Sequence, residues 1–75
     1  MNMGTLKAEL EQLNIPKGVY SLTGGLPNES YCIAQKDNKR EVYYSERGSK
    51  SSLKTFENEN TACEYFLALM KKQKF

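Results

Sequence analysis

The sequence predicts an α+β domain of order α-β-β-β-α, an antiparallel sheet with both helices packed on one face. Three observations predict it. Apolar residues recur at helical spacing near both ends of the chain. Between them lie short runs rich in tyrosine, valine and isoleucine. Glycine, proline, asparagine and aspartate separate those runs. Strands bounded by a helix at each end favour a two-layer packing. The 75 residues are expected to form a single small domain, 1–75, with 1–4 as a disordered lead and 73–75 as a frayed end.

Leu6, Leu10 and Leu13 stand at i, i+4 and i+7, one apolar stripe of a helix, and Thr5 is placed to cap its start. Asn14-Ile15-Pro16 ends it, because proline disfavours helical backbone at the residue before it. Val19 to Leu22 reads as a first short strand, and Thr23 to Asn28 as a loop by composition. Ser30 to Lys36 and Glu41 to Ser45 are a second and third strand, joined through Asp37-Asn38-Lys39 as a hairpin. Gly48 to Ser52 reads as a polar loop. Leu53 to Phe56 is either a short fourth strand or an extended lead-in. Asn58 caps the last helix, from about Glu59 to Lys72, with Ala62, Phe66, Leu69 and Met70 as its buried stripe and Cys63 and Tyr65 flanking it.

A tight turn near Asn38 pairs odd positions of the second strand with even positions of the third. Tyr31, Ile33, Val42 and Tyr44 then share one face, and Cys32, Ala34 and Tyr43 the other. The first set is larger and more apolar, so it belongs against the helices. The second face is then open, and an exposed Tyr43 beside Cys32 and Ala34 forms a small apolar platform. Such a platform suits a protein partner or a stacked single-stranded base; a plain solvated sheet face explains it equally well.

Composition narrows the chemistry. Hydrophobic residues make up 39% and charged residues 27%, a globular balance rather than a disordered one. The net charge of +2 is too weak to argue for nucleic-acid binding. No basic stretch leads into an apolar run at the N-terminus, and Phe66 to Met70 is far too short to span a bilayer. Cys32 and Cys63 fit buried free thiols in a reducing cytoplasm better than a disulfide framework. The absence of histidine removes the commonest general base and metal ligand, and two cysteines alone cannot complete a zinc site. Gly24-Gly25 lacks the Lys-Ser/Thr of a phosphate loop and reads as a turn. No cofactor is expected. Glu46, Glu57 and Glu59 are the candidate carboxylates for acid–base work. Yet Glu57, Glu59 and Glu64 around the start of the last helix, with Lys71, Lys72 and Lys74 at its end, already complement its dipole.

One run is more distinctive: Val42-Tyr43-Tyr44-Ser45-Glu46-Arg47-Gly48, then Leu53, Phe56 and Ala62-Cys63-Glu64-Tyr65-Phe66. This strand, ending in Tyr-Tyr-Ser-Glu-Arg-Gly before a helix with Ala-Cys-x-Tyr-Phe, resembles small bacterial immunity proteins of polymorphic toxin systems. Gly18 to Leu22 and Tyr31-Cys32-Ile33 extend the likeness over roughly residues 15–70. Arg40 stands where that pattern often has tryptophan, and the chain has none. The resemblance implies a non-enzymatic, cytoplasmic inhibitor of a cognate protein toxin, often a nuclease; a monomer or weak homodimer is expected. Tyr43, Glu46, Arg47, Glu57 and Glu59 are the expected partner-binding residues, with the carboxylates opposing a basic cleft and Tyr43 as an aromatic anchor. Glu46, Arg47 and Gly48 also admit a structural reading, as an ion-paired strand exit with glycine at positive φ. The alternative function is a nucleic-acid-binding accessory using the open sheet face with Lys36, Lys39 and Arg40.

Overall fold

A computed structural model describes residues 1–26 and 28–73. Pro27 of the expected loop, Lys74 of the basic helix end and the last residue of the frayed tail lie outside the described residues. The chain forms helix α1 (Met3–Gln12), a 3-10 turn (Lys17–Val19), strands β1 (Tyr20–Ser21), β2 (Ser30–Lys36), β3 (Lys39–Glu46) and β4 (Ser49–Phe56), and helix α2 (Glu59–Lys72). The sheet order is β1-β2-β3-β4, so the α+β class is as the sequence predicts. The sheet is mixed, however: β1 pairs with β2 in parallel, and the other pairs are antiparallel.

The hairpin register matches the alternation. Tyr31 faces Tyr44, Cys32 faces Tyr43 and Ile33 faces Val42. Ile33 and Val42 are fully buried with Leu6 and Leu10 of α1 and Ala62, Cys63, Phe66 and Met70 of α2. That shared cluster puts both helices on one side of the sheet, and the smallest dimension of the molecule, 18 Å, is that of a sheet plus one helix layer. Leu67 joins the core and Leu69 sits at its margin, a small rotation of α2 from the expected stripe.

The helix ends show two departures. Asn2, not Thr5, caps α1: its side chain accepts from the Thr5 amide at 2.8 Å, so residues expected as a disordered lead belong to the helix and its cap. At the other end Leu13 is the C-cap and turns 44% of its surface to solvent, outside the core stripe. Asn58 caps α2 as expected.

Glu59 joins three elements. Its carboxylate accepts from the Met3 amide at 2.6 Å, at the start of α1, and from Arg40 of β3 at 3.4 Å. Because Glu59 also opens α2, one negative charge sits at the positive ends of both helix dipoles. Glu59→Ala is expected to cost about 1 kcal/mol, in the range of a lost helix cap. Amide exchange should speed first at Met3 to Leu6, and unchanged exchange there would show that the clasp is incidental.

The fourth strand is longer than composition suggests. It takes in the serine-rich segment read as a loop, runs to Phe56, and carries a bulge at Leu53, between Val42 and Tyr43 of its neighbour. As an edge strand it is exposed along nearly its whole length, so it needs no apolar alternation to be stable in place.

Candidate functional site

The parallel pairing of β1 and β2 decides the second sheet face. To enter two parallel neighbours from the same end, the chain must return across a face of the sheet. The helices occupy one face, so the segment after Ser21 crosses the other. There the Tyr43 hydroxyl donates to the Gly25 carbonyl at 2.5 Å, and Gly24 lies against Ala34. Tyr43 is therefore only 3% exposed and Cys32 fully buried. This corrects the expectation of an open face: Tyr43 lies under a loop and presents no platform to solvent. Burial pushes the Tyr43 hydroxyl up to about 12, with the Cys32 thiol beside it adding to the shift.

Gly24 is what lets the loop come this close. Its φ is +81°, and a Cβ there would stand 3.0 Å from the Ala34 Cβ. Gly24→Ala combines a left-handed backbone with a clash against a strand, so a loss of about 1–3 kcal/mol is expected. Increased access of thiol reagents to Cys32 should accompany it, and a variant with the parental denaturation midpoint would refute the close packing.

Beside Tyr43 the same face holds a charge pair absent from the sequence expectations. The Lys50 ammonium donates to the Glu41 carboxylate at 2.6 Å and lies 4.9 Å from the Tyr43 ring centre. Glu41 is 6% exposed. The hydrogen bond from Lys50 holds its carboxyl below the usual range, outweighing the opposing effect of burial. The bulge at Leu53 shifts the register of Ser49 to Ser52 and so puts Lys50, opposite Ser45, on the face of Glu41; nothing in the local sequence announces that offset.

The two cysteines lie on opposite sides of the sheet, Cys32 under the loop and Cys63 among the helices, both free and buried. Burial raises both thiols above their ordinary value, which disfavours the reactive thiolate. Among the described residues no group of three or more His, Cys, Asp or Glu side chains is placed to hold a metal, and no helix is long and apolar enough to cross a membrane. An open groove of ≈ 370 Å³ beside Lys36, Lys39 and Thr55 contains Glu41. That carboxylate is engaged by Lys50 and kept ionised, so it is a weak base at neutral pH.

The remaining sequence candidates divide between the two ends of the sheet. Glu46 and Arg47 stand at the tip joining β3 to β4, where Arg47 (φ 51°) and Gly48 (φ 79°) make a two-residue turn. Positive φ at both central positions defines the type I′ turn, whose twist suits a hairpin. Gly48 fills this role as anticipated. The ion pairing suggested for Glu46 and Arg47 does not form: among the described residues neither belongs to a salt bridge. The Arg47 amide donates to the Asn28 side chain at 3.2 Å, tying the tip to the loop before β2. Glu57 is exposed in the bend after β4, and Glu59 is held by Met3 and Arg40. The eight residues of β4 separate these groups from Glu46, a span on the order of 25 Å. The structure thus brings Glu46 and Arg47 together and places Glu57 and Glu59 elsewhere.

A row of tyrosines leads to the same tip. Tyr20 pairs with Tyr31 and Tyr31 with Tyr44, so all three share the helix-bearing face at its margin. Each is half-buried, and the Tyr31 and Tyr44 rings meet at 4.8 Å with a tilt of 58°. The Tyr44 hydroxyl is raised above its ordinary value, first by desolvation and then by the carboxylates of Glu46 and Glu29. Glu29, with φ 52°, immediately precedes the Ser30–Ser45 pair and so lies abreast of Glu46. Tyr20 and Tyr31 pack against the edge of the core; only the register of the parallel strand aligns Tyr20 with the other two.

No family model matches this chain, and neither a curated protein nor a solved structure does.

Proposed function

We propose that the protein is a non-enzymatic protein-binding domain, an immunity-type inhibitor that holds a cognate bacterial toxin in the cytoplasm. One observation carries this reading: Glu46 and Arg47 are presented at a pinned hairpin tip, exposed and free of salt bridges among the described residues. Arginine is a poor choice for a left-handed turn position, where asparagine or glycine costs less. A residue kept at a conformational cost is a motive for a functional hypothesis. A small inhibitor needs only a rigid scaffold with a few anchors. Lys50, Lys54 and the bulge at Leu53 are features that discourage pairing along an exposed edge strand, which favours action as a monomer.

The nucleic-acid alternative loses its motive. Tyr43 lies beneath the loop, and Arg40 is engaged with Glu59.

Co-expression with the product of a toxin-like gene adjacent to this chain's gene tests the proposal. Protection and a complex on a sizing column are expected. Continued killing with no complex would overturn it. Arg47→Asn separates binding from folding. It should stabilise the domain by about 0.5–1 kcal/mol by easing the turn and weaken the complex. A variant that is less stable, or that binds as before, would contradict the assigned role.

A further inference from the structure

The row Tyr20–Tyr31–Tyr44 ends beside two carboxylates, Glu29 and Glu46. Neither carboxylate forms a salt bridge among the described residues. None of the three tyrosine hydroxyls is a buried atom lacking a partner among the described residues. Half-buried aromatic rings in fixed mutual contact lose little side-chain freedom on binding, which is why tyrosine is frequent among binding anchors.

We propose that this margin is a socket for an arginine side chain of the partner protein, with Tyr44 and Tyr31 supplying the ring surface and Glu29 and Glu46 the countercharge. This rests on the protein-binding reading above and names what the partner must present. Charge complementarity selects the occupant. Two carboxylates beside aromatic faces attract a cation, and they repel the phosphates of a nucleic acid. Arginine is preferred over lysine because its planar guanidinium can lie on a ring and still donate to carboxylates in its plane. Among the described residues, the cations that form salt bridges are directed away from this place. Lys17 is directed to Glu11, Arg40 to Glu59 and Lys50 to Glu41. Arg47 follows Glu46 directly in a tight turn and forms no salt bridge with it.

The test uses the full chain and a peptide of alternating glycine and arginine, followed by two-dimensional amide NMR. Matching lysine and glutamate peptides serve as controls. Saturable shifts are expected around Glu29, Tyr31, Tyr44 and Glu46, larger with arginine than with lysine and absent with glutamate. Glu46→Gln and Glu29→Gln should each weaken binding about two- to fivefold, the range of an exposed charge pair. Tyr44→Leu should do the same through the lost ring contact, again about two- to fivefold. Glu29 precedes β2 and makes no side-chain bond among the described residues, so Glu29→Gln keeps the test valid if Tyr44→Leu unfolds. Shifts spread equally over Glu57 and Glu64, or affinities unchanged in both glutamine variants, would overturn the socket. The co-expressed toxin separates the two claims. A complex indifferent to all three variants defeats the socket and leaves the inhibitor reading intact. A seated arginine peptide with no toxin complex defeats the inhibitor reading alone.

Discussion

Phe66→Ala is expected to leave little folded protein at room temperature. Phe66 is the largest fully buried side chain among the described residues and lies in the cluster joining α1, α2, Ile33 and Val42. Truncating a core phenylalanine typically costs about 3–5 kcal/mol through lost burial and the cavity left behind. A single core of this size holds only about 3–5 kcal/mol in total. The two figures are comparable, so the variant should show collapsed amide dispersion and no cooperative urea transition. Phe66→Leu keeps most of the volume and should stay folded, with a loss of about 1 kcal/mol. A Phe66→Ala protein with a sharp transition near the parental midpoint would mean that the helices are not held by this residue.

Lys50→Met should cost about 1–2 kcal/mol and change a pH dependence. Removing the ammonium leaves the Glu41 carboxylate buried and without its shortest hydrogen bond. An unsatisfied buried acceptor costs about 1–3 kcal/mol, and the lower half applies because the Lys50 side chain is 36% exposed and water can follow it. In the parent, Glu41 is held below its ordinary value of 4.5. Its contribution is complete above that value and is lost as pH falls through the depressed one. In the variant the hydrogen bond and charge of Lys50 are gone, and burial is opposed only by the Ser52 hydrogen bond and the Lys36 charge, so the carboxyl moves up from its parental position. The variant therefore tolerates the neutral acid better than the parent does and loses less stability on acidification. The difference in urea midpoint between variant and parent should therefore shrink on acidification from neutrality. A difference that stays constant with pH would show that Glu41 is not the group responsible.

Much of the fold is local and was legible. The α1 stripe of Leu6 and Leu10, the α2 stripe around Phe66 and the Asn58 cap each follow from spacings within one element. The pairing of Ile33 with Val42 follows from a short turn at Asp37-Asn38 and the two-residue period of strands. Two features were hidden. The segment Ser49 to Ser52 has a loop's composition, yet it is a strand because the turn at Arg47-Gly48 lays it against β3. The cap of α1 at Asn2 was missed because both Asn2 and Thr5 can cap, and docking of Met3 against Glu59 chooses between them.

The candidate site was legible in its residues and illegible in its surroundings. Glu46, Arg47 and Gly48 were identifiable as a strand exit, and the strand alternation set Tyr43 apart from Tyr44. Amino-acid order by itself determined the class of fold, the helix stripes and which side chains share a pleat, since these depend on neighbours a few positions away. Tertiary structure alone decided that Tyr43 is covered, that Glu41 meets Lys50 and that Tyr20 aligns with Tyr31 and Tyr44. Those outcomes follow from the direction of a two-residue strand and the offset of one bulge. Both are set by long-range pairing, for which the local sequence carries no period.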